Sequence, residues 1–398
     1  MTVELPDGWR EVALNTVVRS KSGNSNIIKG KNASRPEAGL FQGYSATGPD
    51  VWVKQASHSG IGIVVSAVGA RCGKTFLASG EWTAIANTHV LLPLDGMYPK
   101  FLWYVSNRED WWVKSGTAQP FVKVKDTLER PFPLPPHLEQ ERIVEILEEQ
   151  FSRLDSALAS VKTVREKAQA FRRSLLHAAF SGELTGGTET WRETLLGQCV
   201  ELLGGYAFKS DWYEPEGIKL ARGQNIAHGV LDWSDTRNIS IERSDEFQRF
   251  SLEVGDLLLA LDRPLISTGL KWAVVEERDL PALLLQRVAK INGRAGEVTQ
   301  TFVQFWLQSD YLTAAINPGR SIGVPHISLK ELEGLQINLP PLATQERIVE
   351  ILEEQFSRLD NALEVANQLE ARIAAERRSL LHSAFTGELT AKWRATHV

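Results

Sequence analysis

A long internal repeat is the feature that most restricts how this chain can fold. Residues 140–155 read QERIVEILEEQFSRLD, and residues 345–360 are identical to them. The match continues at a constant offset, without a gap, from the Leu-Pro-Pro before each copy to the Gly-Glu-Leu-Thr at its end. The repeated units are therefore 135–185 and 340–390. The segments between them are unlike each other, so a repeated frame carries two variable parts.

Each copy of the repeat predicts one long α-helix. Paired prolines suit the start of a helix, and acidic residues crowd the first turns, where the helix dipole favours them. An Arg-Arg pair lies near the other end, and Gly182 and Gly387 follow as terminating glycines. A helix over about 138–180 would be about 60 Å long, at 1.5 Å per residue.

The apolar residues of both copies recur at alternating steps of four and three, the spacing of a coiled coil. In the first copy an additional step of three, from Val161 to Val164, predicts local overwinding before the pattern resumes at Ala168, Phe171 and Leu175. The alternative is two helices in separate cores. The residues expected to pair the helices are Leu147, Phe151, Leu154, Leu158, Leu352, Phe356, Leu359 and Leu363.

Chain order predicts the direction of this pairing. The first long helix leads from the first variable segment to the second, so a second helix that pairs with it and leads back must run antiparallel. A Trp-Arg pair opens both variable segments, at 9–10 and 191–192, and appears again at 393–394. We therefore expect the C-terminal tail to return to the first segment and close a circular arrangement with a pseudo-two-fold axis.

The resulting domain organisation has five parts, and its fold class is α/β (α+β). A first head (1–134) precedes helical spacer 1 (135–185), and a second head (186–339) precedes helical spacer 2 (340–390) and the tail (391–398). Both heads are predicted to be β-rich and to share one fold. Buried strands are expected within 60–69, 89–94, 255–261, 271–276 and 283–291, and helices within 101–116 and 302–317.

Size and composition restrict the class of protein further. A chain of 398 residues can bury the cores of two domains, and no run of about 18 apolar residues predicts a membrane span. No signal-peptide pattern is visible at the N-terminus. Cys72 and Cys199 have no disulfide or metal-ligand spacing, as is typical of the cytoplasm.

Motifs for catalysis are missing from the sequence. The stretch VGARCGKT (68–75) resembles a phosphate-binding loop, but Val68 stands where that motif needs glycine, and Gly69 comes one position late. The residues that follow do not predict the helix whose N-terminus would hold phosphate. The histidines have no metal-binding spacing, and no Ser/His/Asp set is evident. We therefore predict no catalytic residues, no metal and no cofactor in this chain.

Polar segments suited to DNA contact occur in both heads. The net charge is −5, but the first head has 15 basic and 11 acidic residues, whereas the second has 15 and 21. Lysine suits phosphate, while Arg, Asn and Gln suit base edges. The segment 19–35 reads as a loop, and Trp212 and Trp233 read as core. The candidate DNA contacts are Lys21, Lys29, Lys31, Arg35, Lys209, Arg222, Gln224, Asn225, Arg263 and Arg320.

This layout resembles the specificity (S) subunit of type I restriction-modification systems. The resemblance rests on the doubled LPP–helix–GELT unit between two unlike domains, and on LARGQNIAHGVLD and VGDLLLAL in the second head. It covers essentially the whole chain, although the first head has no clear counterpart of LARGQNI.

The resemblance implies a non-catalytic, sequence-specific DNA-binding subunit. Each head would be a target recognition domain reading one half of a bipartite, asymmetric site, and the helices would set the spacer. Two methyltransferase (modification) subunits would dock on the helices, and two restriction subunits would join them, in a DNA-methylating system of phage defence. S-adenosylmethionine, ATP and Mg would bind those partners. The alternative function is a two-headed scaffold that binds only proteins.

Overall fold

The computed structural model describes residues 5–266, 269–316 and 326–397. The chain divides into two compact units. One comprises Met1–Val161 and Asn367–Val398, and the other comprises Lys162–Ala366. Each unit contains one head and one half of each long helix. Helices and sheets are mixed in both units, which confirms the predicted fold class.

Two long helices dominate the helical content of the described residues. Their ends match the positions of the prolines and glycines: α3 begins directly after Pro136, and Gly182 and Gly387 have the left-handed φ values of 86° and 81°. The helices are α1 (Pro99–Ser106), α2 (Val124–Leu128), α3 (His137–Phe180), α4 (Leu196–Cys199), α5 (Ile241–Ser244), α6 (Gln300–Leu307), α7 (Asp310–Ala315), α8 (Leu329–Glu333), α9 (Leu342–Thr386) and α10 (Ala391–His397).

The first head is built on two four-stranded sheets. Their strand orders are β2-β9-β6-β7 and β4-β3-β8-β5, and the pairs β1-β12 and β10-β11 complete the unit. The strands are β1 (Arg10–Ala13), β2 (Val18–Ser22), β3 (Phe41–Ser45), β4 (Gly48–Val53), β5 (His58–Ser59), β6 (Gly62–Ser66), β7 (Thr75–Ala78), β8 (Glu81–Ala84), β9 (Thr88–Pro93), β10 (Lys114–Ser115), β11 (Phe121–Val122) and β12 (Pro131–Leu134).

The second head repeats this plan. Its sheets have the orders β14-β23-β18-β21-β16 and β17-β15-β22, with the pairs β13-β24 and β19-β20. The strands are β13 (Arg192–Leu195), β14 (Val200–Gly204), β15 (Ile218–Ala221), β16 (His228–Gly229), β17 (Asn238–Ile239), β18 (Leu257–Ala260), β19 (Leu265–Ile266), β20 (Gly269–Leu270), β21 (Trp272–Val274), β22 (Ala282–Leu284), β23 (Val288–Gly293) and β24 (Gln336–Leu339).

The central strands form because their apolar runs are buried on both faces. All residues of β6 and β18 are buried, as expected for continuous apolar runs between layers. A close backbone approach fixes the end of the first sheet in each head. A Cβ on Gly23 would lie 2.2 Å from the carbonyl oxygen of Ile85, and one on Gly205 would lie 2.1 Å from that of Leu285. Only glycine fits at either position.

Several local predictions were wrong. The run 283–291 is two strands rather than one, because Arg287 turns the chain with φ 66° and the two strands join different sheets. The predicted helix 101–116 ends at Ser106, whose carbonyl accepts the indole N–H of Trp112 at 2.8 Å.

The predicted helix 302–317 likewise divides into α6 and α7, because the hydroxyl of Ser309 bonds back to the carbonyl of Trp306 at 2.6 Å. The segment 19–35 is not entirely a loop, since its first residues belong to β2 and pair with β9.

The long helices pack antiparallel within the first unit. Near the start of α3, Glu139 bonds to Thr390, and farther along α3, Asp155 pairs with Arg377. The partner therefore shifts from Thr390, in the turn after α9, back to Arg377 within α9 as α3 advances from Glu139 to Asp155. In the second unit, Arg172 pairs with Asp360 at 2.7 Å and lies 4.2 Å from the ring of Phe356, at positions related to the first unit by the repeat.

The buried stripe of α3 keeps its heptad phase. Val161, Ala168 and Leu175 are buried at steps of seven, whereas Val164 and Phe171 are 42% and 46% exposed. The expected overwinding step to Val164 was therefore wrong, because polar residues take stripe positions between the buried ones. Among the eight predicted pairing residues, Leu147, Leu352 and Phe356 are buried. The others, Phe151, Leu154, Leu158, Leu359 and Leu363, are half-buried.

The glutamine of each Gln-Glu-Arg triplet ties the frame to its head. Gln140 is fully buried, accepts the backbone N–H of Tyr98 at 2.7 Å, and donates to the carbonyls of Gly96 and Pro135. Gln345 makes the equivalent three bonds, with the N–H of Thr299 and two carbonyls, each at 2.9 Å. The repeated residue fixes the turn that precedes the α1 helix in one head and α6 in the other.

The C-terminal tail contacts the start of α3 within the first unit. The carboxylate of Glu139, fully buried, accepts bonds from Trp9 at 3.0 Å, Thr390 at 2.6 Å and Arg394 at 2.7 Å. The tail is helical (α10), whereas the arginines of the other two Trp-Arg pairs begin strands β1 and β13. The third Trp-Arg pair therefore does not repeat the conformation of the first two.

Candidate nucleic-acid interface

An open cleft in the second head collects the side chains of five chain segments. It has a volume of about 930 Å³ and lies where β15 and β18 end, where β21 begins, and at the turn between β22 and β23, and His326 contributes the fifth segment. Its lining residues are Arg222, Gly223, Gln224, Asp262, Arg263, Lys271, Leu285, Gln286, Arg287 and His326.

The segment Arg222–Asn225 is held by bonds within the protein. Nε of Arg222 donates to the Asn225 side-chain oxygen at 3.1 Å, and the same guanidinium pairs with Asp235 at 3.2 Å. Asn225 is 1% exposed, and its amide donates to the carbonyls of Asp232 and Asp235. Gln224 donates to the Asp235 carboxylate at 2.6 Å. Arg222 and Gln224 thus line one wall of the cleft, Asn225 is buried, and each of the three is hydrogen-bonded within the protein.

The opposite wall carries a more exposed set of charges. Arg287, at the β22–β23 turn, donates through Nη1 to the carboxylate of Asp262, which follows β18. Arg263 is exposed and makes no hydrogen bond or ion pair with the described residues. Lys271 donates to the carbonyl of Gly223 and so ties this wall to the first. The cleft thus holds four cations and one carboxylate in its lining.

The charges in and beside the cleft shift one another's protonation equilibria. Burial, and after it the positive charge of Arg263, lowers the pKa of Lys271. Hydrogen bonds from the guanidinium of Arg222 lower the pKa of Asp235. The bond to Asp262 raises the pKa of Arg287. The lowered pKa keeps Asp235 ionised at neutral pH, and its carboxylate orients the guanidinium of Arg222 beside it.

The first head has the same backbone positions but different side chains. The backbone N–H of Ala67 donates to the carbonyl of Asn87 at 2.9 Å. In the second head, the backbone N–H of Leu261 donates to the carbonyl of Arg287 at the same distance. The bridge between Val68 and Phe121 corresponds to the bridge between Asp262 and His326. By these equivalences Val68, Gly69, Asn87 and Phe121 stand where the second head has Asp262, Arg263, Arg287 and His326.

Two further cleft positions of the second head have counterparts in the first head, and one of the two is the same residue type in both heads. Lys74 is the equivalent of Lys271. The carbonyl of Lys74 accepts the N–H of Ser66 at the end of β6, as the carbonyl of Lys271 accepts that of Ala260 at the end of β18. Ser45 is the equivalent of Arg222, and it bonds to Asp50 at 2.6 Å, as Arg222 pairs with an aspartate. The first head thus keeps one cation and one aspartate-bonded position, but otherwise presents apolar and neutral groups.

The predicted cations of the first head do not converge on one site. Lys29 pairs with Asp50 at 2.6 Å and bonds to Thr47. Lys21 lies on β2. Burial of the His58 side chain, and after it the positive charge of Lys21, lowers the pKa of His58. Lys31 and Arg35 are exposed in the segment beyond β2. The structure therefore places them on one exposed stretch without joining them into a cleft.

Two candidates of the second head lie away from the described cleft. The ammonium of Lys209 lies 5.4 Å from the ring of Trp212, a cation–π contact. Arg320 lies outside the described residues. Trp212 and Trp233 are half-buried and pack against core clusters, and the indole of Trp233 donates to Asp279 at 2.8 Å.

Sequence reasoning missed several cleft residues, namely Asp262, Lys271, Gln286, Arg287 and His326. A signal existed for two of them: Gln286-Arg287 interrupts the apolar run 283–291, and a polar pair at such a point is typical of a turn. Nothing local marks Lys271 or His326, because they reach the cleft only through strand pairing.

Other chemistry finds no support among residues 5–266, 269–316 and 326–397. No group of three metal-binding side chains occurs within them. The stretch 68–75 leads into β7 and not into a helix, so the phosphate-loop interpretation fails. None of the described helices combines the length and the apolar character that a bilayer span requires.

Comparisons with known proteins identify the family. A model described as "Type I restriction modification DNA specificity domain" matches residues 51–162 and 189–374. The EcoAI specificity subunit of Escherichia coli is 42% identical over 196 residues, covering 49% of this chain and 32% of that protein. The MjaVIII specificity subunit of Methanocaldococcus jannaschii is 25% identical over 341 residues, covering 81% of this chain and 78% of that protein.

Solved structures agree on the fold. A chain from a type I restriction-modification system, solved in work on complex assembly and conformational transition, has a TM-score of 0.74 at 18% identity, covering 96% of this chain and 98% of that chain. The HsdS subunit from Thermoanaerobacter tengcongensis has a TM-score of 0.56 at 20% identity, covering 98% and 99%. Since the family model spans most of the chain and parts of both heads, the chain belongs to the family of type I restriction-modification DNA specificity proteins.

Proposed function

We propose that this chain is the DNA-reading subunit of a type I restriction-modification complex, and that its two heads read the two halves of a bipartite, asymmetric site. One observation carries the proposal. The two heads are tied by the same glutamine bonds to the two copies of one repeated helix, yet they present unlike side chains at equivalent positions. A frame of this kind suits a reader whose two half-sites differ in sequence.

The charge of the second cleft supports a DNA ligand for that head. The head as a whole has 15 basic and 21 acidic residues. Four of the basic residues nevertheless line one cleft, with one carboxylate among its lining residues. Binding to a polyanion depends on such local cationic surface rather than on net charge.

The same proposal assigns roles to the remaining parts. The heads, 1–134 and 186–339, are the target recognition domains, and the long helices set the unspecified spacer between half-sites. Two modification subunits dock on those helices, and restriction subunits reach the complex through them. S-adenosylmethionine, ATP and Mg belong to these partners, so this chain performs no catalysis of its own, and the complex works in the cytoplasm.

The experiment is single-molecule sequencing of DNA from cells that express the chain with its cognate methyltransferase. We expect methyladenine at a two-part motif with a fixed spacer, and we expect the motif to vanish when the gene for this chain is deleted. Methylation that persists without the chain, or a motif in one continuous block, would contradict the proposal.

The acidic balance of the second head favours one alternative, a scaffold that binds only proteins. Salt separates the two functions. The affinity of a DNA reader falls steeply as salt rises, with a log–log slope set by the number of phosphate contacts. If the chain with its partner binds cognate duplexes no more tightly at low salt than at high salt, the scaffold function is favoured instead.

A further inference from the structure

We propose that Arg287 reads a guanine in the site of the second head, and that Asp262 positions its guanidinium for that contact. The inference rests on the proposed function and adds a named reading residue to it. Among the candidates suggested by the sequence, Asn225 is buried and bonded within the protein, and Arg222 is held by Asn225 and Asp235. On the other wall of the cleft, the side chain of Arg287 is exposed and has a single partner among the described residues.

Backbone conformation singles out that wall. Among the described non-glycine residues, positive φ values occur at Asn87, Arg263 and Arg287. Two of these three lie in the cleft, and Asn87 occupies the turn of the first head that corresponds to Arg287. Gly and Asn adopt this conformation at least cost, whereas a long side chain is disfavoured. Arginine at such a turn indicates a side chain kept for its chemistry and not for the turn.

The contacts of Arg287 suit a bidentate reader. Its Nη1 donates to Asp262, while Nε and Nη2 have no hydrogen-bond partner among the described residues. Two N–H groups of a guanidinium match the N7 and O6 acceptors of guanine, the commonest specific contact in the major groove. A carboxylate that holds one nitrogen reduces the rotamer freedom lost on binding and leaves donors for the base.

Asp262 is otherwise out of place in a surface that meets a polyanion. A carboxylate there repels phosphate, so its presence is explained if it improves discrimination at the expense of raw affinity. In the first head the equivalent position is Val68, and the turn residue is Asn87, which needs no partner. The carboxylate and the arginine thus occur together in one head, and neither occurs in the other.

The test uses the full chain copurified with its methyltransferase subunit, and the motif mapped by sequencing modified DNA. The probes are duplexes of that motif in which single G·C pairs are replaced by A·T. We expect Arg287→Lys and Arg287→Asn to lose about tenfold or more of the preference for G·C at one base pair, since each bidentate contact gives discrimination of that order. Lysine keeps the charge and loses the paired donors.

Asp262→Asn distinguishes positioning from simple charge balance. A positioning role predicts that preference falls at the same base pair, while affinity for duplexes lacking the motif stays equal or rises. Arg278→Asn is the matched control, because Arg278 forms an exposed pair with Glu276 at 2.7 Å and does not line the cleft. Asparagine at 287 should not unfold the head, since asparagine serves at the equivalent turn, and an unchanged Tm verifies this.

Three results would overturn the inference. The first is unchanged preference at every base pair in both Arg287 variants. The second is an equal loss for cognate and non-cognate duplexes, which would make Arg287 a phosphate contact. The third is an intact preference in Asp262→Asn, which removes the positioning role. A wild-type complex with no motif at all would instead contradict the proposed function, so the two failures are distinguishable.

Discussion

The two heads share backbone hydrogen bonds and differ in the side chains at the positions that line the cleft of the second head. Gln140 and Gln345 make the same three bonds at matching distances, and Gly23 and Gly205 close the same tight approach. At the turn that borders the cleft, however, one head has asparagine and the other has arginine. The comparison indicates that packing constraints act on the frame and leave the cleft side chains free to diverge.

The frame itself differs at one point, where the chain begins and ends. In the first unit, Glu139 joins Trp9 near the N-terminus to Arg394 in the tail. The equivalent of Glu139 in the second unit is Thr344, and there the chain runs on directly from α3 into the second head. The first unit thus has a buried ion pair between Glu139 and Arg394. In the second unit, threonine stands at the position of the glutamate.

Removing this carboxylate should break the equivalence of the units most strongly. In Glu139→Gln, the side chain of Arg394, 11% exposed, keeps its charge without a counterion. Loss of one partner of a buried pair costs about 3–5 kcal/mol. We expect that decrease in the free energy of unfolding, measured with urea, and faster amide exchange in 5–15 and 385–397.

Thr344→Ala is the matched change in the second unit. Thr344 is half-buried and carries no charge. The free energy of unfolding of the Thr344→Ala variant should therefore differ from that of the wild type by less than about 0.5 kcal/mol. Comparable losses in the two variants would show that the ion pair does not distinguish the units.

Replacing the buried glutamines tests the part of the frame that both units share, and the expected destabilisation is smaller than that of Glu139→Gln. Leucine at either position leaves one N–H and two carbonyls without their partner, and each unmet group costs about 1–3 kcal/mol if water cannot reach it. We expect Gln140→Leu and Gln345→Leu each to lower the free energy of unfolding by about 2–3 kcal/mol, because the turns they hold are near the surface.

Hydrogen exchange by mass spectrometry locates these two effects. Gln140→Leu should expose the amides around 96–98, and Gln345→Leu those around 297–299. If one variant is destabilised and the other is not, the two turns are not equivalent and the comparison of the heads needs revision.

Sequence alone predicted the frame well, because its signals are local. Proline before α3 and glycine after Phe180 set the ends of that helix to within one residue of the prediction. The predicted overwinding step from Val161 to Val164 was wrong because the prediction followed apolar residues alone. Arginines occupy some of the heptad positions along the buried stripe of α3. Hydrophobicity does not show that Phe171 lies 46% exposed.

The cleft could be predicted only in part, because it is assembled by strand pairing. Arg222 and Arg263 were found from polar segments, but the spacing gave no means of seeing that one is enclosed by Asp235 and the other is exposed. Lys271 stands just before β21 and His326 reaches the same cleft through an isolated bridge to Asp262, and the sequence specifies neither position. Roles inferred from residue type alone therefore needed the partners of each side chain.

The smallest expected effect compares the threonines that end the two copies of Gly-Glu-Leu-Thr. Thr390 donates to Glu139 at 2.6 Å, whereas the buried hydroxyl of Thr185 has no hydrogen-bond partner within the described chain. Valine removes a bond to a charged group at 390, at a cost of about 1.5–2 kcal/mol, the low end for such bonds. At 185 it removes an unpaired polar atom, and the free energy of unfolding should stay equal or rise by up to about 1 kcal/mol.

Opposite signs in Thr390→Val and Thr185→Val would tie the difference to the carboxylate of Glu139, to which Thr390 donates. In the other copy of the repeat, the residue at the position of Glu139 is the neutral Thr344. The double variant Glu139→Gln/Thr390→Val provides the check. If threonine acts through that carboxylate, its replacement should cost less when Glu139 is already glutamine, because residues in one hydrogen-bond network do not contribute additively. Fully additive losses would mean that Thr390 contributes through packing, and the contrast with Thr185 would then have another cause.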